Sequence, residues 1–324
     1  MHAIVVEGVG DPSVLQWRAV PDPKPGPGQV AIKVKLTSVN FADIQQRRGT
    51  GAAVPKMPFT PGLDCMGTIV ALGEGVEKLH VGQRVSASPE GGSYAEVVVA
   101  REVLTIPVDG TISDEAAASP TVLVTAYNLL TLAARLQRGQ SVLVHAGAGG
   151  VGSVAVQMAK RLGAGTVFAT AGGEHKVRIA RDCGADIAID YTKEDFAQVI
   201  REATGGKGVD IVLDAVGGDV FAKSLPVLAD FGRYCVYGQS SGSPGSLTTD
   251  LLHRSNRAIL GYSSGHYRRN RADAIRPALE AALKMVADGE VRILEGGRFP
   301  LREAAKAHRQ VESRASTGRI FLTV

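Results

Sequence analysis

The stretch "SVLVHAGAGGVGSVAVQMAKRLG", Ser141 to Gly163, decides the fold. The run "SVLV" reads as a buried strand, and "VGSVAVQMAKRLG" carries its apolar residues on one helical face. Between them Gly147, Gly149 and Gly152 form a GxGxxG, with Ala148, Gly150 and Val151 completing the turn. Each glycine has its own expected role. Gly147 allows the tight turn, Gly149 lets backbone N–H groups approach a pyrophosphate, and Gly152 brings helix and strand together. Alone the pattern is weak. Here it follows a strand, opens a helix and precedes "TVFATA" then "EHKVRIARDCGA", "VDIVLDAVG" then "DVFAKSLPVLA", and finally "GRYCVYG". Such alternation gives parallel βαβ units, so the chain is α/β with a doubly wound, Rossmann-type sheet for a dinucleotide.

Upstream the texture differs. From residue 1 to 120 short alternating runs such as "QVAIKVKL", "GTIVALG" and "YAEVVVA" are broken by Gly and Pro, the pattern of a compact β-barrel or sandwich. Residues 121–264 form the cofactor domain, and 265–324 return to helix and a last strand, "RIFLTV", expected to close onto the first domain. Pro277 places the start of the first tail helix near Arg276.

The totals set bounds. The chain has 324 residues, 44% of them hydrophobic, enough for two cores. With 36 basic against 32 acidic side chains and one short basic run, "HYRRNR" from His266 to Arg271, a solvated surface is expected there rather than a nucleic-acid site. No apolar segment reaches membrane-spanning length, and a strand pattern begins at once, so a soluble cytoplasmic protein is expected. Cys65, Cys183 and Cys235 are too few and too scattered for a structural zinc site or a disulfide framework.

The second strand of the doubly wound half tests the cofactor. Where an acid about twenty residues past the motif would hold the ribose hydroxyl of NAD, the strand ends in Ala171. Gly172, Gly173, His175 and Lys176 follow, and Tyr191 stands at the tip of the next strand. A small uncharged tip with an ammonium and a phenol nearby suits a 2′-phosphate, and points to NADPH. Lys176 as a solvated helix residue is the alternative.

These residues resemble the medium-chain dehydrogenase/reductase superfamily, in its zinc-free quinone oxidoreductase branch. The resemblance runs in order through "PFTPGLDCMG" (Pro58 to Gly67), "VGQRV" (Val81 to Val85), "GSYAEVV" (Gly92 to Val98), "TAY" (Thr125 to Tyr127), "GQSVLVHAGAGGVGSVAVQMAK" (Gly139 to Lys160), "DAVGG" (Asp214 to Gly218) and "ESRASTG" (Glu312 to Gly318). It implies a GroES-like β domain, a doubly wound cofactor domain and a homodimer joined near "RAILGYSS". In metal-dependent relatives a cysteine stands at the position of Asn40 and a histidine-glutamate pair at Leu63 and Asp64, so no zinc is expected. The resemblance also places Val216, Tyr237 and Gly238 toward the cofactor, and Asn40, Asp43 and Thr125 in the reaction cleft; Arg314 is a candidate for the adenosine phosphate, with an exposed helix-end arginine as the favoured alternative. A tyrosine that many relatives carry near the position of Gly51 is missing, which counts against thioester substrates.

Without a Lewis acid, hydride addition to a conjugated acceptor is easier than reduction of an isolated ketone, because the charge spreads into an enolate or semiquinone-like system. A quinone or enone is therefore the expected small-molecule substrate. Asn40 can donate its amide N–H to the acceptor oxygen, Thr125 can contact nicotinamide or substrate, and Asp43 is expected to be an ionised orienting group. Asn40 as N-cap and Asp43 as the N3 acid of a helix "FADIQQRR" is the structural alternative. The GxSxG from Gly238 to Gly242 is not a nucleophile elbow, since no helix pattern follows Ser240. An enoyl-thioester reductase and an NADPH-binding protein without turnover remain the rival readings.

Overall fold

The computed structural model describes residues 1–50 and 55–324. From the N-terminus come β1 (His2–Val5), β2 (Gln16–Ala19), β3 (Gln29–Val39), α1 (Phe41–Arg48), β4 (Cys65–Leu72), β5 (Arg84–Ala87), β6 (Val97–Arg101), β7 (Thr105–Pro107), α2 (Asp114–Ala117) and α3 (Pro120–Asn128). Strand and helix then alternate: β8 (Val142–Val144), α4 (Gly150–Arg161), β9 (Val167–Ala171), α5 (Glu174–Asp182), β10 (Ile187–Asp190), α6 (Phe196–Ala203), β11 (Val209–Asp214), α7 (Asp219–Ser224), β12 (Leu228–Val236), α8 (Asp250–His253) and β13 (Ala258–Gly261). The tail holds α9 (Ser264–Asn270), α10 (Ala272–Ala287), β14 (Glu295–Pro300), α11 (Ala304–Glu312) and β15 (Arg319–Thr323). Two compact units result, Met1–Val124 with Gly265–Val324, and Thr125–Ser264.

In the first unit the main sheet runs β14-β15-β3-β4-β5-β7, with β6 also on β3. The alternation of β3 sets its sides: Lys33 and Lys35 are exposed while Val30, Ile32, Val34 and Leu36 are buried. Each such buried Ile or Leu contributes about 1.5–3 kcal/mol. From Leu36 to Val39 both faces are covered, and the polar Thr37 and Ser38 are buried with them. β15 pairs antiparallel with this end of β3, Ile320 opposite Val39, which brings Arg319 to the point where β3 gives way to α1.

The second unit is a six-stranded parallel sheet in the order β10-β9-β8-β11-β12-β13. Leu143, Phe168, Ile189, Val212 and Tyr234 pack with Phe196, Ile200 and Phe221 from the crossover helices in one of its cores. Strand order reverses between β8 and β11, and a crevice at such a switch point is where doubly wound sheets take ligands.

Two expectations need correction. Pro277 does not open its helix: α10 starts at Ala272 and runs through the proline. The buried face of Ala272, Ile275, Ala278, Leu279 and Ala282 is unbroken across it, and that packing outweighs one lost backbone bond. In the basic run Arg268 is the exception, buried and donating to the Pro89 carbonyl (2.9 Å) and to Thr121 Oγ1 (2.7 Å), while His266, Arg269, Asn270 and Arg271 are exposed as expected. Among the described residues no helix is long and apolar enough to cross a membrane.

Candidate active site

The glycine turn follows β8 at the switch point. Its left-handed residue is Ala146, at φ 54°, and Gly147 keeps an ordinary backbone. The tight turn expected of Gly147 is therefore made one residue earlier. Gly147 is needed for another reason: a Cβ there would lie 2.7 Å from the Ala169 Cβ on β9. At Gly152 a Cβ would lie 2.1 Å from the Ala146 carbonyl oxygen, so only glycine lets α4 start this close to β8. Gly149 is the N-cap of α4, and intrahelical bonding leaves the first N–H groups of a helix open to an anion.

Beyond β9 and β10 a second group of candidate residues gathers. Gly173, at φ 87°, caps α5 and donates its N–H to Asp190 Oδ1 (2.9 Å), which also accepts from Thr192. A Cβ on Gly172 would fall 2.6 Å from the Tyr191 hydroxyl, so Tyr191 lies across the turn with more than half its surface exposed. Lys176 occupies the third position of α5, and partial burial lowers its pKa. A cation in a first helical turn opposes the helix dipole. An anion bound there would offset both costs.

After β11 the chain turns on Asp214. This buried carboxylate accepts the N–H groups of Val216 (2.6 Å) and Gly217 (3.2 Å) and the Tyr234 hydroxyl (2.9 Å). The segment leaving β12 lies against that turn, with Tyr237 donating its N–H to the Asp214 carbonyl (2.9 Å). A Cβ on Gly238 would meet the Ala215 oxygen at 2.9 Å. Beside Gly217 and Gly238 opens a largely apolar cavity of about 270 Å³, also lined by Phe221, Val236 and Leu247. Thr125 is buried on α3 in the same unit.

In the first unit Asn40 caps α1 and Asp43 is the third helical residue, accepting the Asn40 N–H at 2.8 Å. The Asn40 side chain also has partners outside the helix. Its Nδ2 donates to Asp64 Oδ2 (2.9 Å), and its Oδ1 accepts from Arg319 Nη1 (3.2 Å). A carboxylate on one side and a guanidinium on the other fix which way the amide points. Arg319 also pairs with Asp64 Oδ2 (2.9 Å), both groups being buried. Ser38 Oγ donates to the same oxygen (3.0 Å) and the Thr121 N–H to Oδ1 (3.1 Å). Cap and cluster thus coexist in one residue, and one amide hydrogen of Asn40 is left for a further acceptor.

Asp43 departs from expectation. Burial, with Asp64 as a like charge nearby, pushes its carboxyl up to about 7, against the lowering effect of the Asn40 and Gly62 N–H groups and of Arg319. It changes charge near neutral pH instead of staying an ordinary ionised aspartate. Leu63 is buried beside this cluster in sequence. Gly51 lies outside the described residues, and Arg314 is exposed just beyond α11. Ser38, Tyr94, His308 and Arg319 belong to this neighbourhood without standing out in the sequence. The available signal for Arg319 is a charge heading the apolar run "RIFLTV", since a buried arginine needs an acid partner.

Among the described residues no three His, Cys, Asp or Glu side chains group as a metal site. Sequence models of two families match the chain, a zinc-binding dehydrogenase over residues 150–287 and an alcohol dehydrogenase GroES-like domain over residues 26–110. A 2-haloacrylate reductase from Burkholderia is 35% identical, the match covering 99% of this chain and 98% of that protein. A mycobacterial protein solved in complex with NADPH is 35% identical with a TM-score of 0.94, covering 100% of both chains. The Escherichia coli quinone oxidoreductase, solved with NADPH, is 29% identical with a TM-score of 0.93, again over 100% of both chains. With a GroES-like domain, a doubly wound sheet and relatives of this closeness, the chain belongs to the medium-chain dehydrogenase/reductase superfamily of oxidoreductases, in its quinone oxidoreductase-like branch.

Proposed function

We propose that this chain is an NADPH-dependent reductase of quinones and α,β-unsaturated carbonyl compounds that works without a metal ion. The observation that carries the reading is the Asn40 amide, a neutral donor held between Asp64 and Arg319 where metal-dependent relatives place a cysteine ligand. A relative named for the reduction of a haloacrylate, a conjugated acid, supports the acceptor class.

The second unit fits the cofactor. Within the turn from Ala146 to Gly152, glycine at 147 and 152 allows β8, β9 and α4 to lie close together, and Gly149, Gly150 and Val151 open α4 toward an anion. Lys176 and Tyr191, beside Gly172 and Gly173, would hold the adenosine ribose with its phosphate. Val216, Tyr237, Gly238 and Thr125 would line the nicotinamide end. When bound, the reduced nicotinamide supplies the hydride. The Asn40 N–H donates to the acceptor oxygen on which negative charge grows, and it is pre-oriented because Asp64 and Arg319 hold the other two corners of the amide. We also propose a homodimer through the open edge of β13, which among the described residues pairs only with β12 and is partly exposed.

A steady-state panel decides between acceptors. NADPH oxidation is expected to be most efficient with quinones and enones, and weaker with isolated ketones or enoyl thioesters. Bound NADPH with no turnover on any conjugated acceptor refutes the reading, and stoichiometric zinc in the purified protein refutes its metal-free part.

A further inference from the structure

Behind Asn40 lies a run of buried polar groups that the ion pair does not explain. Tyr94 is fully buried, its hydroxyl 3.3 Å from Asp43 Oδ2 and 3.1 Å from His308 Nε2. His308, on α11, is equally buried, with its ring set edge-on to Tyr94 at 5.8 Å between centroids. Its Nδ1 has no hydrogen-bond partner among the described residues. An apolar side chain of similar volume would fill this place without burying an orphaned nitrogen, so packing does not account for the histidine.

The orphan fixes the direction of the chain. A buried unpaired N–H is rarer than a buried unpaired acceptor, which puts the ring proton on Nε2, facing Tyr94. Tyr94 then accepts from His308, and its single hydrogen goes to Asp43. Arg47, itself buried and paired with Glu312, stands near His308, and burial together with that charge keeps the ring neutral, its pKa down at about 3. Arg48 also reaches Glu312. On the far side Asp43 faces Asp64, Arg319 and the N–H groups of Asn40 and Gly62. Gly62 is obligatory there, at φ 104° with a Cβ position 2.2 Å from Ser93 Oγ.

We propose that His308 and Tyr94 are positioning residues: their hydrogen-bonded relay fixes the Asp43 carboxyl and, through the N–H that Asp43 accepts, the placement of Asn40 at the head of α1. The proposal rests on the reading of Asn40 as the amide that meets the acceptor. Asp43 changes charge near neutral pH, and the Tyr94 hydroxyl, as a donor to its Oδ2, favours the ionised form. Losing that donor raises the pH at which Asp43 ionises, and losing His308 frees Tyr94 to turn away, with a smaller effect in the same direction.

The test is a carbon NMR titration of the aspartate carboxyls in the full-length protein, with the Asp43 signal assigned by its loss in Asp43→Asn. Tyr94→Phe should move the Asp43 midpoint up by about one pH unit. His308→Leu should move it part of that way, and His308→Gln, whose side-chain amide can donate from the same place, should return it toward the original value. The pH dependence of kcat should move in step. An unmoved midpoint in Tyr94→Phe, or His308→Gln behaving as His308→Leu, overturns the proposal. Should Tyr94→Phe fail to fold, the two His308 variants carry the test. The titration needs no turnover, so a protein inactive on every acceptor would refute the proposed function and leave this inference to be judged by the midpoints.

Discussion

Asn40 shows how far single residues can be read. The alternation of β3 running into an Asn and an Asp three apart marks both a helix cap and a candidate site, and the residue serves the cap while its side chain joins a cluster. Its partner Arg319 lies 279 positions away, and no local pattern ties the two together. Only the pairing of β15 with β3 does so. Removing one partner of a buried ion pair leaves the other charge uncompensated, so Asp64→Asn should destabilise the protein by about 3–5 kcal/mol in urea denaturation. Asn40→Ala keeps that pair and removes the donor, and kcat on a conjugated acceptor should fall about 100-fold with the Kd for NADPH little changed. The charge state of Asp43 is not legible in sequence, because it depends on burial and on Asp64, neither of which is visible in a spacing of three.

Among the elements, the glycine turn is the most legible, because strand, turn and helix each leave a signature in consecutive residues. What sequence does not show is the division of labour within it. The left-handed residue is Ala146, and Gly147 is required by Ala169, a neighbour on another strand. Gly152→Ala drives a methyl into the Ala146 carbonyl and should abolish NADPH binding in a fluorescence titration, while leaving the first unit folded. On α5, Lys176→Ala should lower the preference for NADPH over NADH about tenfold or more, the worth of one charge-assisted hydrogen bond, read from the two kcat/KM values. Pro277 misleads about the boundary of α10 because local backbone preference gives way to a continuous buried face.

For the whole molecule, three buried groups contribute to the response to acid. Burial holds His145 down at about 4, between Thr170 and Ser224, and burial with Arg47 holds His308 at about 3, both from an ordinary 6.5. Each adds stability that is present above pH 6.5 and lost as the pH falls toward its folded value. Asp43, raised from 3.8 to about 7, acts oppositely, its contribution being full below 3.8 and lost as the pH rises through 7. Between pH 4 and 6.5 the unfolded chain thus binds one net proton more across these groups. Their combined effect is to lower stability by about 1.4 kcal/mol per pH unit on acidification. His308→Leu should bring this share close to zero in urea titrations across that range. The parallel sheet is legible as a whole because βαβ alternation is written along the chain, whereas the long-range assembly of β3, β15 and α11 around Asn40 is not. The proposed function is hydride delivery from NADPH to a conjugated carbon, which can be followed by turnover of an enone with NADPH deuterated at the transferring position. One deuterium is expected at the β-carbon of the product for each NADPH consumed. NADPH that binds and stays unoxidised, or product without deuterium at that carbon, would contradict it.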